Sequence, residues 1–262
     1  MAPSEPPDYR SFYEQRRSEN YGDGYAHIRA EDHTGYQRLR KFIDQHDLAG
    51  KRCLEVGSSG GHFQDMVEDY YGIDLSEELT RRYHKNYARV RDDGTYPFDD
   101  EMFDGIWSFA VHEHIPDLQQ AMLEIVRITR PGGVVFFWPA WQCRPWMADG
   151  HTVRPYGDLG LKGKLIKASI PLRNSVAWRS LFVFPKRVFR HLLFLAGYRF
   201  ERIRYRPIKA NWETFWDSDS DACNSIDPHD AVLWFESHGF EEDRRNKRAF
   251  GLGLGFRSRP FC

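Results

Sequence analysis

Hydrophobic positions along the chain fall into two alternating periods. Short apolar runs at Cys53–Val56, Tyr70–Asp74, Tyr87–Val90, Gly105–Val111 and Val134–Trp138 have the length and content of buried strands. Between them, Thr34–His46, His62–Glu68, Glu77–Asn86 and Asp117–Thr129 carry the spacing of helices, with Ser76 as a predicted N-cap ahead of Glu77 and Glu78. Pro131 cannot continue the last of these, and Gly132 and Gly133 turn the chain into the next strand. Near the end, Asp227–His238 predicts a helix, and Phe240–Asp243 and Phe250–Arg257 predict strands. Strands alternating with helices imply an α/β fold with a parallel, doubly wound sheet, whose ligands bind at the carboxyl ends of the strands.

The stretch from Lys51 to Ser76 organises the rest. Gly57, Gly60 and Gly61 follow the first strand and allow a turn through which a ligand can approach the main chain. Asp74 ends the next strand seventeen positions after Gly57. A carboxylate there suits a ribose diol, because it accepts from both hydroxyls. Glu55 lies on the first strand itself, in the pattern Glu55-x-Gly57-x-Ser59-x-Gly61. A carboxylate repels a pyrophosphate and attracts an amine cation, so the expected ligand carries an ammonium and not a diphosphate.

These residues resemble the glycine motif of the class I methyltransferases that use S-adenosylmethionine; Ser59 departs from it at the middle glycine. The resemblance extends through an acidic pair, Asp92 and Asp93, and a Pro97-Phe98 turn before Phe103-Asp104. It continues with Glu113-His114-Ile115, a helix, and Arg130-Pro131-Gly132-Gly133 before a strand, so that it covers about residues 50–140. It implies a Rossmann-like, doubly wound seven-stranded sheet closed by an antiparallel pair, with a large basic insertion after the fifth strand. It also implies S-adenosylmethionine held by Glu55, Gly57, Ser58, Ser59, Gly61, Phe63, Asp74 and Leu75, with Asp92, Asp93 and Gly94 at adenine and Phe109 and Ala110 nearby. The expected organisation is an N-terminal helical cap over 1–50, a cofactor domain over 51–141 and 227–262, and an acceptor lid over 142–226.

Composition changes this picture in one place. Of 37 Lys and Arg and 38 Asp and Glu, residues 142–210 hold fifteen basic against three acidic (Asp149, Asp158, Glu201), leaving 22 and 35 on the remainder. A basic, Trp-containing module is thus set on an acidic body. It favours a small anionic or sugar-containing acceptor; nucleic acid and a membrane surface are alternative partners for cations mixed with Leu, Ile, Val and Phe. Oligomeric state is not read. The four cysteines (Cys53, Cys143, Cys223, Cys262) have no metal or redox spacing, and the cytoplasm is the expected compartment. No metal is expected: the Asp217-Ser218-Asp219-Ser220-Asp221 run lacks the glycine and distal glutamate of a calcium loop. It reads instead as a helix-capping turn or a contact to acceptor hydroxyls.

The chemistry expected is methyl transfer, most simply to a hydroxyl of a glycosyl, nucleotide-linked or phosphorylated acceptor. A faint likeness of Asp219-Ser220-Asp221-Ala222 to methyltransferases of sugar and polysaccharide biosynthesis points the same way. Phenol or amine methylation, or a non-catalytic binding protein on the same fold, are the alternatives. A hydroxyl needs a base near neutral pH, and histidine supplies one. His151 and His112 are ranked ahead of His114, because the histidine of a Glu-His pair commonly anchors the following helix.

Overall fold

The computed structural model describes residues 9–16, 29–214, 216, 219–243 and 253–259. In chain order the elements are α1 (Tyr9–Arg16), α2 (Tyr36–Gln45), β1 (Arg52–Val56), β2 (Asp69–Asp74), β3 (Asn86–Arg89) and β4 (Phe103–Phe109). Then come α3 (Leu118–Ile128), β5 (Thr129–Trp138), α4 (Leu161–Asn174), α5 (Val176–Phe182) and α6 (Phe184–Leu195). The chain closes with β6 (Tyr205–Pro207), β7 (Asn224–Ile226), α7 (Pro228–Ser237), β8 (Phe240–Glu242) and β9 (Leu254–Ser258). The start of the last strand expected at Phe250 lies outside the described residues.

Seven strands form one sheet in the order β3-β2-β1-β4-β5-β9-β8. The first five pair in parallel, while β9 runs antiparallel to both β5 and β8. Chain direction away from β1 reverses between β2 and β4, which makes the carboxyl ends of β1 and β4 the switch point where such sheets hold ligands. Alternation along the strands divides the core. Leu54, Val56 and Ile106 pack with α3 and with Trp234 and Phe235 of α7 on one face. Cys53, Tyr70, Trp107 and Phe136 pack with Leu39, Phe42 and Ile43 of α2 on the other.

Two expected helices are not formed. Residues 61–68 run as successive turns, with Gln64 N–H donating to Gly61 and Met66 N–H to Phe63. Glu77–Arg82 is a short 3₁₀ segment, and Ser76 makes no side-chain cap. The reason is that the two connections are stitched to each other. The Gln64 amide donates to the Arg82 carbonyl at 3.2 Å and accepts the His84 N–H at 3.0 Å, while Lys85 Nζ donates to the Val67 carbonyl at 2.6 Å. Phe63 and Val67 are buried on the sheet by these contacts. Cross-links between segments thus replace the i-to-i+4 ladder that periodicity alone suggests.

The insertion after β5 is held at its end. Strands β6 and β7 pair antiparallel, Trp141 bridges Ile226, and Cys223 N–H donates to the Glu113 carbonyl at 2.9 Å. Helices α4, α5 and α6, by contrast, bury no residue. Removing a fully buried side chain from the core, as in Trp234→Ala, should cost on the order of 3–5 kcal/mol in chemical denaturation. Leu192→Ala on α6 should stay within about 0.5 kcal/mol. A comparable loss from Leu192→Ala would show that the helix face is buried in solution.

Candidate functional site

At the switch point β1 ends in a turn that only particular backbones follow. Gly57 has φ +71°, and a Cβ there would stand 2.2 Å from Cγ2 of Val111. Gly61 has φ +72°, with Cε1 of Tyr83 at 2.8 Å from the corresponding point. Ser59 also lies in the left-handed region at φ 44°, where an L side chain is strained. Two contacts hold it there. Its N–H donates to Asp74 Oδ2 at 2.8 Å, and its carbonyl accepts from Tyr83 Oη at 3.0 Å. The departure from glycine at this position is therefore accommodated by side chains from β2 and the segment after it.

The register β1–β2 places Val56 beside Ile73, so Asp74 stands next to the glycine turn. Its other oxygen accepts the Leu75 N–H at 2.6 Å. A carboxylate has about four lone-pair positions, so these backbone donors orient it and leave acceptor capacity for a diol. Glu55 is buried one layer below and accepts from Tyr70 Oη at 2.5 Å. Burial is the main cause that pushes its carboxyl up to about 8; the Tyr70 hydrogen bond opposes this and Asp74 adds to it. Without a cation beside it, Glu55 is largely protonated at neutral pH.

These groups line a cavity of about 820 Å³, within the ~300–1,000 Å³ span of small-molecule sites. Gly57, Ser58, Phe63, Leu75 and Gly94 are on its wall with Glu55, Ser59 and Asp74, as are Phe109 and Ala110. Asp92 and Asp93 stand exposed at its rim. Asp93 is already engaged by the Thr95 N–H and hydroxyl, which hold its carboxyl below the usual range. Asp92 meets Arg10 at 3.2 Å and Arg89 at 3.4 Å. Gly61 supports the turn without facing the cavity.

Helix α1 crosses the mouth. Arg10 donates to the carbonyls of Val90 (3.3 Å) and Arg91 on the adenine-side loop. Tyr13 Oη donates to Asp221 Oδ2 at 2.7 Å on the insertion side; burial above all keeps this phenol protonated. Of the aromatic leader residues, Tyr21, Tyr25 and His27 lie outside the described residues. His33, Phe63, Phe109 and Trp138 form an aromatic wall, with successive ring centroids 4.9, 5.6 and 5.5 Å apart. Ala110 turns the chain at φ 50°, its N–H bonded to the Trp138 carbonyl at 2.8 Å.

That turn sets where the three histidines lie. His112 is fully buried, 3.0 Å from Ser108 Oγ and edge-on to Phe137, and burial pushes it down to about 3. His151 is buried with Nδ1 3.3 Å from the Trp146 carbonyl. Neither borders the cavity; His114 does. Its Nδ1 lies 3.5 Å from Asp221 Oδ1 and its Nε2 3.7 Å from Glu113 Oε1. Glu113 is fully buried and anchored by the Ala140 N–H at 2.9 Å; burial raises its pKa. Tyr13, His33, Asp219 and Asp221 complete a site that sequence spacing alone did not assemble, although the acidic run near 220 was a readable signal.

The insertion reaches the cavity at its end. Its described lining residues are Asp219 and Asp221, and Arg10 is the one Lys or Arg among the described residues of the wall. Cations of α4–α6 are not among the described residues that line the cavity.

Comparison with known proteins identifies the domain that holds this site. Residues 54–137 match a family profile described as a methyltransferase domain. The chain carries a class I, S-adenosylmethionine-dependent methyltransferase domain. A ubiquinone biosynthesis O-methyltransferase of Methylococcus capsulatus is 31% identical over 111 residues, 37% of this chain and 47% of that protein. A phthiotriol/phenolphthiotriol dimycocerosates methyltransferase of Mycobacterium tuberculosis is 32% identical over 123 residues, covering 40% and 44%. The chain thus spans less than half the length of these curated relatives. A solved S-adenosylmethionine-dependent methyltransferase of Mesorhizobium loti shares the fold, with TM-score 0.51 and 14% identity over 87% of this chain and 99% of that one.

The residues present fit S-adenosylmethionine: buried Glu55 could ionise against an ammonium, the turn at Gly57 would let a ligand approach the main chain, and Asp74 is oriented to accept from a ribose. Between pH 4.5 and about 8 the folded, cofactor-free protein holds a proton on Glu55 that the unfolded chain releases. Its stability from this group is therefore present at low pH and lost as pH rises through about 8. Glu55→Gln should raise the melting temperature at pH 8 and change it little at pH 5. An equal shift at both values would refute the assignment of that proton.

Proposed function

We propose that this protein transfers a methyl group from S-adenosylmethionine to a hydroxyl of a small, uncharged acceptor, with His114 as the base. The observation that carries this reading is the position of His114 on the cavity wall between Asp221 and Glu113. A sulfonium donor is already activated, so the chain's own work is alignment and removal of one proton. Glu55 and Asp74 would hold the amino-acid and ribose parts, and the turn at Gly57 and Ser59 lets the main chain close on them. Asp221, oriented by Tyr13, would favour the imidazole tautomer with Nδ1–H, leaving Nε2, which also faces Glu113, to accept the hydroxyl proton. The resulting imidazolium is stabilised by the flanking carboxylates.

The acidic wall favours a neutral acceptor with several hydroxyls, as in a glycosyl group, or a phenol resting on the aromatic wall, over a phosphorylated or nucleotide-linked one. Asp219 and Asp221 supply acceptors for further hydroxyls, and Phe109 and Trp138 supply flat apolar faces. The relatives named for ubiquinone biosynthesis and for phthiotriol dimycocerosates fit this preference for uncharged acceptors. His114→Ala should lower kcat by roughly 10²–10⁴-fold with cofactor affinity unchanged. His151→Gln should stay within about twofold. Normal turnover in His114→Ala, assayed on a panel of phenols and sugars, would remove it as the base.

A further inference from the structure

We propose that helices α4, α5 and α6 form a docking surface for an anionic lipid bilayer. Three features of the insertion carry this inference, and none depends on the methyl-transfer reading.

Residues 159–200 contain nine Lys or Arg and no Asp or Glu. The same helices turn their apolar side chains outward: Leu161, Leu181 and Val176 are 78, 71 and 80% exposed, and Leu165, Phe184, Phe189 and Leu192 are each more than half exposed. A helix at a protein surface normally does the reverse.

The inversion is clearest on α6. Phe184, Val188, Leu192 and Leu195 fall within roughly 80° of one another around its axis at 3.6 residues per turn, and all are exposed. Two of its three cations face the body instead. Arg187 Nη2 meets Asp227 at 2.8 Å and Arg190 Nε meets Asp230 at 2.5 Å, both carboxylates belonging to the start of α7. Ion pairs thus clamp the polar side of α6 to the fold and leave its apolar side unpartnered among the described residues. On α4, Lys162 and Lys164 stand roughly 60° to either side of the Leu161–Leu165 stripe, where their ammonium groups can reach headgroups while leucines enter the acyl boundary.

Charge selects the occupant. Exposed apolar side chains flanked on α4 by Lys162 and Lys164, with no carboxylate in residues 159–200, match an anionic interface. A phosphate polymer would match the cations alone and leave the leucines and phenylalanines in water. A symmetric second copy would bring two such cationic faces together. No helix among the described residues is long and apolar enough to cross a membrane, so the contact is interfacial.

The test mixes the purified full chain with sedimentable vesicles of phosphatidylcholine alone or of equimolar phosphatidylcholine and phosphatidylglycerol. The protein should pellet with the mixed vesicles and bind pure phosphatidylcholine roughly tenfold or more weakly. Lys162→Ala and Lys164→Ala should each weaken binding roughly fivefold, and Phe189→Glu with Leu192→Glu should abolish it with unchanged melting temperature. If that pair unfolds the chain, Leu165→Glu serves in its place. Equal binding to both vesicle types, or full binding by the glutamate variants, would overturn the proposal. So would concentration-dependent self-association without vesicle binding, or retention on RNA alone.

Discussion

Everything at this site depends on two carboxyl groups fixed at the ends of neighbouring parallel strands. The β1–β2 register puts Glu55 opposite Gly72 and brings Asp74 up to the glycine turn. Gly72 has no side chain to fill the space beside Ser58 and Tyr83. Tyr70, from the same strand as Asp74, reaches back to cap Glu55. One strand therefore supplies the partner of the first acid and is itself the carrier of the second. Shifting β2 by one position would move Tyr70 to the opposite face of the sheet and take Asp74 away from the Ser59 amide.

The energetic logic is that of a buried acid kept neutral until a cation arrives. Burying an ionised carboxylate alone is costly, and proteins answer by protonating it or pairing it. Glu55 does the first in the absence of ligand, and an ammonium in the cavity would permit the second. A diphosphate would meet Asp74, Asp92 and Asp93, which would repel it, and would offer Glu55 no cation to pair with. The same reasoning separates the acidic cavity from the cationic helices: the two charge populations of the chain are spatially distinct and face different surroundings.

Much of this was legible in the sequence because it is local. Glu55, Gly57 and Asp74 are set by strand ends and short spacings, and the turn between them leaves little conformational choice. The strands were likewise legible as apolar runs, and the seven-stranded sheet with its antiparallel closure is what the resemblance implied. What could not be read depended on side-chain direction or on distant partners. Residues 62–68 have helical periodicity, but Gln64 bonds to Arg82 and His84 instead of extending a helix. His112 and His114 are two residues apart, and only the turn at Ala110 and the short helix after it decide which one meets the cavity. Tyr13 and Asp221 are 208 positions apart in the chain yet share one hydrogen bond. The cations of the insertion were visible at once, but their direction, away from the cavity, belongs to the tertiary structure.

The central claim is that the acid on β1 pairs with an ammonium of the cofactor. Calorimetric titration with S-adenosylmethionine at pH 6.5, in two buffers of different ionisation enthalpy, counts the protons exchanged on binding. A buried Glu55 that ionises against the incoming cation predicts release of close to one proton, abolished in Glu55→Gln. Binding with no proton release, or preferential binding of a dinucleotide in the same cavity, would contradict the account.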